Sequence, residues 1–215
     1  MATEEIFAKA KKAMDSHNWD ESLSLFNEVL EKDPKNAKAY YHRAGIHKKN
    51  HRLDKAKSDY ESMTSLEISD TDRWLAMAFI HELNESLLHK GGLTYSSSSV
   101  ASSTKEYQQA VYYYSKIIQV APNDEEARVD RSIMYCKLGQ YAEAIEDTTV
   151  VIATNKDTRA LSRSYASRAM AYLLLGNLSK AESDTQKSLS YSQKQPRANY
   201  LLGCIKEQQQ KFDEA

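Results

Sequence analysis

Leu138-Gly139-Gln140-Tyr141-Ala142-Glu143-Ala144-Ile145-Glu146-Asp147-Thr148 reads as a tight turn running into an amphipathic helix, and the chain writes this passage repeatedly. His17-Asn18-Trp19-Asp20-Glu21-Ser22 is one further copy and His51-Arg52-Leu53-Asp54-Lys55-Ala56 another. Lys105-Glu106-Tyr107-Gln108-Gln109-Ala110 and Gly176-Asn177-Leu178-Ser179-Lys180-Ala181 follow, and the last copy is Lys211-Phe212-Asp213-Glu214-Ala215. The small residue that closes each copy stands at Ser22, Ala56, Ala110, Ala144, Ala181 and Ala215, at spacings of 34, 54, 34, 37 and 34. A recurring 34 marks stacked helix–turn–helix units, none of which can bury its apolar face alone. Such an array works by binding, so no enzymatic activity is expected of it.

The bulk properties agree with that class. The 215 residues carry a net charge of -1 and are 41% hydrophobic, which removes any global attraction to phosphate backbones or acidic membranes. Nucleic acid is therefore not an expected partner. Lys9, Lys11 and Lys12, and Lys48, Lys49 and Arg52, form local basic clusters that read as solvated helix ends. No apolar run approaches the roughly 18 residues of a membrane span, and the acidic start Met1-Ala2-Thr3-Glu4-Glu5 lacks a signal-peptide core. Cys136 and Cys204 are the only cysteines, have no metal-type spacing and fit a reducing compartment, so the cytoplasm is the expected location.

Alignment on the small residue gives each unit a helix A and a helix B, with positions numbered one to thirty-four. Repeats are expected at residues 3–36, 37–70, 71–124, 125–158 and 162–195, with a partial repeat at 196–215. Helix A of the first presents Ile6, Ala10 and Ala13, and helix B presents Ser22, Phe26 and Val29. Asp33-Pro34-Lys35-Asn36 stops the chain, because proline lacks a donor and Asn36 can cap the next helix. Repeat two places Tyr40, Ala44, His47, Leu53, Ala56, Tyr60 and Met63 in a large–small–large alternation that lets two helices interdigitate.

These residues resemble the tetratricopeptide repeat (TPR) family, whose pattern sets aromatics at positions four, eleven and twenty-four, small residues at eight and twenty, and proline at thirty-two. Tyr40, Trp74 and Tyr165 stand at four; Ala10, Ala44, Ala78, Ala169 and Gly203 at eight; Tyr135 and Tyr172 at eleven. Phe26, Tyr60 and Tyr114 fill twenty-four, and Pro34 and Pro122 fill thirty-two. Arg128 at four and Thr148 and Thr185 at twenty-four depart from it. The resemblance implies an all-α, right-handed solenoid of antiparallel helix pairs, about five and a half repeats long, and a helical scaffold for protein binding without a cofactor.

Repeat three is interrupted. Trp74, Ala78 and His81 begin it, but Tyr107, Ala110, Tyr114, Ile117 and Pro122 arrive after 20 extra residues, the excess of 54 over 34. Near 86–105 the expectation is an overlong first helix frayed near His89, a break at Gly91-Gly92, and a mobile serine-rich loop. That loop is either a tolerated insertion or a phosphorylated segment through Ser96, Ser97, Ser98, Ser99, Ser102 and Ser103. In repeat six only the first residues of helix B precede Ala215, which reads as a fragment of a longer protein.

In TPR-like stacks the A helices line the concave face through positions two, five, six, nine, twelve and thirteen. Carried over by that resemblance, Leu75, Phe79, Val129, Ile133 and Met170 form an apolar strip, with Asp130 beside it, and Lys38, Tyr41, His42 and Lys48 form a basic, aromatic shoulder. An amphipathic protein segment with an acidic group near repeat two is the expected partner; the alternative is that these side chains pack on one another. The two-carboxylate clamp of TPR co-chaperones that hold heat-shock-protein tails is absent, since the first three repeats supply Phe7, Lys11, His42, Asp72 and Ala76 in its place. The alternatives to a free scaffold are the recruiting arm of a larger protein with a J-domain or other effector, and a subunit of a ciliary or transport assembly.

No phosphate loop, dinucleotide fingerprint or His-Glu-x-x-His helix occurs. His47 and His51 lie four apart, but His51 falls in a turn and nothing completes a ligand set, so no metal site is expected. Tyr112, Tyr113 and Tyr114 diverge by about a hundred degrees each on a helix, which sends only Tyr114 into the core.

Overall fold

A computed structural model describes residues 2–90 and 97–213, all of whose regular structure is helical. Contacts divide the chain into two compact units, residues 1–109 and 110–215, each described by itself. The first contains α1 (Thr3–Asp15), α2 (Trp19–Lys32), α3 (Ala37–Lys49), α4 (Leu53–Thr64) and α5 (Asp70–Lys90). Helix α6 (Ser97–Val120) contributes its start to the first unit and its end to the second. The second continues with α7 (Glu125–Lys137), α8 (Tyr141–Thr154), α9 (Thr158–Leu174), α10 (Leu178–Tyr191) and α11 (Pro196–Asp213). Turns of three residues join α1 to α2, α3 to α4, α7 to α8 and α9 to α10, which makes each pair an antiparallel hairpin.

Those turns share one local cause. Position fifteen of the unit holds His17, His51, Gly139 and Gly176, and all four have positive φ, at 61°, 56°, 75° and 76°. The residue after each donates its amide five residues back, from Asn18 to Ala13, Arg52 to His47, Gln140 to Tyr135 and Asn177 to Tyr172, at 2.8–2.9 Å. This is the Schellman closure of a helix, which satisfies a carbonyl left free at the helix end. Repeats three and six carry Glu85 and Gln210 at position fifteen, and there helix A does not stop: α5 runs for 21 residues and α11 for 18. Both residues are good helix formers that rarely enter the left-handed region.

Three expectations are corrected. The overlong first helix of repeat three is present as α5, but the serine-rich segment is not a loop where it is described. Ser97, Ser98, Ser99, Ser102 and Ser103 all belong to α6, with Ser103 buried and Ser102 exposed. Tertiary contact holds this end of α6: Glu106 meets His81 Nδ1 at 2.6 Å and accepts from Asn84 Nδ2 at 3.1 Å, both on α5. Gly91, Gly92 and Ser96 lie outside the described residues. The turn expected at Lys211-Phe212-Asp213 is likewise absent, because α11 continues through it. Gly203, expected to be the packed small residue of repeat six, is exposed, and an added Cβ would meet nothing within 4 Å.

The helix pairs touch through their small residues. Ala10, Ser22, Ala44, Ala56, Ser132, Ala144, Ala169 and Ala181, at positions eight and twenty, are each 0% exposed. Ser22 stands where the others have alanine and sends its hydroxyl to the Ala10 carbonyl at 2.9 Å, so the polar atom is satisfied inside the contact. Phe26, Tyr60 and Tyr114 at position twenty-four are buried, each large ring contributing about 2–3 kcal/mol. Thr148 and Thr185, the departures at that position, are buried as well. Their hydroxyls donate four residues back, to Ala144 at 2.8 Å and Ala181 at 2.7 Å. Arg128 replaces the position-four aromatic by an ion pair with Asp147 at 3.1 Å and a bond to the Pro122 carbonyl at 3.0 Å. Asn36, Asp124 and Asp157 cap α3, α7 and α9, accepting from the third amide beyond.

Candidate functional site

In the first unit α1, α3 and α5 bring a run of rings together. Phe7 lies 5.7 Å from His42, His42 5.3 Å from Tyr41, and Tyr41 6.2 Å from Phe79. The inward side is held by stacking of His42 on Phe26 at 5.6 Å and of Phe79 on Tyr60 at 5.0 Å. Phe7, Tyr41, His42, Leu75 and Phe79 are all half-buried, so each contributes to the core and to the surface together. The geometry thus joins Tyr41 directly to His42 and to Phe79.

The basic part of this face is divided. Lys48 pairs with Glu82 at 2.8 Å and sits over the Phe79 ring at 4.9 Å, so its charge is engaged locally. Lys38 is exposed and Lys11 half-buried, and neither forms an ion pair among the described residues. Both act on His42, whose pKa is lowered to about 4 by burial first and by Lys11 and Lys38 after it, with Asp15 opposing. His42 is therefore a neutral ring at neutral pH, and the cationic character of the shoulder rests on the lysines.

In the second unit Val129 is 1% exposed and belongs to the core, whereas Ile133 and Met170 are half-buried. Asp130 is engaged by Arg163 at 2.7 Å, and Arg163 also reaches Glu126 at 3.6 Å. Arg197 likewise donates to the Ser167 hydroxyl at 2.8 Å. Position two of one repeat thereby ties to position six of the repeat before it. Cys136 is buried, and burial raises its thiol to about 11, which keeps it an inert core residue.

One recurring arrangement was not read from the sequence. Arg43, Arg131 and Arg168, all at position seven, each grip an aspartate 16 residues on with two nitrogens: Asp59 at 3.0 and 2.6 Å, Asp147 at 2.7 and 2.6 Å, Asp184 at 2.7 and 3.0 Å. The remaining nitrogen of each donates back to position twenty-five of the preceding helix B, at Asn27, Ser115 and Thr149. A planar guanidinium supplies this fork and a lysine does not. Aligning the repeats shows Arg at seven with Asp at twenty-three three times over, which is the signal that could have found it.

Comparison with known proteins follows the same lines. The tetratricopeptide-repeat family model matches residues 25–58 and residues 162–195. The chain is 25% identical over 185 residues to the DnaJ protein P58IPK homolog B of Oryza sativa subsp. japonica, covering 86% of this chain and 37% of that protein. It is 27% identical over 142 residues to the transcription factor tau 131 kDa subunit of Saccharomyces cerevisiae, covering 66% of this chain and 12% of the yeast protein. Among solved structures, TTC0263, a TPR protein of Thermus thermophilus, shares the fold with a TM-score of 0.75 at 16% identity, covering 95% of this chain and 98% of that one. The repeated hairpins, the small-residue contacts and these matches agree: the chain carries tetratricopeptide repeats and shares the fold of TPR proteins.

Proposed function

We propose that the chain is a protein–protein interaction scaffold that takes an amphipathic segment of another protein on the inner faces of its A helices. The observation that carries this reading is the run of half-buried rings Phe7, His42, Tyr41 and Phe79 flanked by the uncommitted charges of Lys11 and Lys38. Half-exposed aromatics offer apolar anchors, and the lysines favour a segment with an acidic group beside them. The Leu75, Ile133 and Met170 side chains extend the apolar surface within their respective units. No described helix is long and apolar enough to cross a membrane, and the two free cysteines favour a reducing compartment such as the cytoplasm.

The test replaces Lys38 by a photo-crosslinking amino acid and compares it with the same residue at Glu143, an exposed position on α8. A single protein crosslinked from position 38 and not from 143, and lost in Lys11→Glu with Tyr41 intact, is the expected result. Crosslinking of the same protein from 143 alone would remove the inner-face reading. Lys11 and Lys38 are preferred to Tyr41 and Phe79 as targets because both rings also pack on the Ala44–Tyr60–Leu83 core.

A second reading is favoured by the rice relative, a DnaJ protein of which the chain matches 37%. In it the repeats recruit partners for an effector, such as a J-domain, carried by another part of a longer protein. Sequencing the transcript on both sides of the segment tests it: flanks without an effector domain would leave the scaffold reading alone.

A further inference from the structure

Repeat two departs from repeats four and five at position eleven. Position eleven is Tyr135 in repeat four and Tyr172 in repeat five, and Lys180, at position nineteen, covers the Tyr172 ring at 5.3 Å. Repeat two has the smaller His47 at position eleven, and Lys55, at position nineteen, has no ring beneath it among the described residues. The difference coincides with a cavity of ≈ 540 Å³ between α2, α3 and α4, within the range of small-ligand sites.

The chemistry of its lining is specific. The bidentate Arg43–Asp59 pair forms part of the wall, its charges mutually neutralised. His47 is 9% exposed, and its Nδ1 is buried without a hydrogen-bond partner, which leaves Nε2 as the nitrogen that can serve the cavity. Burial is the leading cause of the lowered pKa of His47, so the ring is neutral and one nitrogen carries a proton to donate. Arg52 and Lys55 contribute two exposed cations, neither in an ion pair among the described residues, against the single uncommitted carboxylate of Asp20. Position sixteen is Asn18, Gln140 or Asn177 in the sibling repeats, so the arginine is peculiar to this one.

We propose that this cavity is an oxyanion site for a phosphate monoester, with Arg52 and Lys55 neutralising its charge and the His47 imidazole donating to one oxygen. A guanidinium fork, an ammonium and a ring N–H supply donors to several oxygens of one tetrahedral group. The phosphate is carried either by a phosphorylated side chain of a partner protein or by a free small molecule. This site is independent of the inner-face reading, since it uses none of the residues assigned there.

The test titrates the whole chain with inorganic phosphate at constant ionic strength, following the His47 ring resonances by NMR, with sodium chloride as the control. The expected result is a saturable shift, weakened about tenfold or more in Arg52→Glu/Lys55→Glu, whose exposed positions leave the fold intact. His47→Tyr, which installs the residue that repeats four and five carry, abolishes phosphate heat in calorimetry while retaining the helical circular dichroism. A shift that does not saturate, that chloride reproduces, or that survives the double charge reversal overturns the proposal. A phosphoserine tripeptide then separates the sources: tighter binding than inorganic phosphate assigns a phosphorylated partner, and equal binding assigns a free phosphate compound.

Discussion

A histidine at φ 56° holds its Cβ against the following carbonyl, a conformation that glycine adopts without that clash. His51 is exposed and forms no ion pair among the described residues, so the strain has no visible compensation there. His51→Gly is expected to raise the unfolding free energy by about 1 kcal/mol, and Gly139→Ala to lower it by about the same. Urea melts of the two variants check this, and equal midpoints would show that the turn imposes no such cost. The same residue position separates hairpins from long helices: His or Gly ends helix A, whereas Glu85 and Gln210 let it run on. Over the described residues, α5 and α11 therefore run past the position at which the other A helices stop.

Between elements, the arginine fork is the device that repeats. Asp184 is buried and its carboxylate is held by Arg168 on both oxygens, while the third guanidinium contact reaches Thr149 on the preceding helix B. Removing one partner leaves a buried charge unpaired, so Arg168→Ala is expected to cost about 3 kcal/mol, the low end for a broken buried pair. Replacing both at once, Arg168→Met with Asp184→Leu, is expected to lie within about 1 kcal/mol of wild type, since each charge's desolvation is relieved together with the attraction. Chemical unfolding of the two variants separates these cases; a double variant as unstable as the single one would mean that Thr149 and the geometry of the fork, not charge pairing, carry the effect. The contacts from Arg163 to Asp130 and from Arg197 to Ser167 run in the same direction, from one repeat back to its predecessor. Polar bonds therefore join repeats whose small residues supply the close approach of each helix pair.

At the scale of the chain, an array of hairpins concentrates its stability in nearest-neighbour contacts. Ala181→Leu adds an isopropyl group to a 0% exposed contact between α9 and α10, an overpacking expected to cost about 1–3 kcal/mol. Hydrogen exchange should then accelerate in α9, α10 and α11 and stay unchanged in α1–α4; equal acceleration in both sets would contradict locally held stability. The helix pairs, their turns and their buried small residues were legible in the sequence because each is set by a few residues at fixed spacing, such as Gly139 with Ala144. The placing of Tyr41, His42 and Phe79 on A helices came from the family resemblance, whereas the direct ring contacts from Tyr41 to His42 and Phe79 came from the structure. The helical state of Ser97–Thr104 was not legible, because composition favoured a loop and the contacts of Glu106 with His81 and Asn84 come from another helix. The engagement of Asp130 by Arg163 depends on what the next repeat places opposite it, and the cavity beside His47 on what α2 of the preceding repeat places there. The sequence by itself determined the repeat, four of its hairpin turns and its buried small residues, which are local and periodic. Only the tertiary structure decided which polar groups are already satisfied and which remain open to a partner, because that depends on pairings 16 to 34 residues apart.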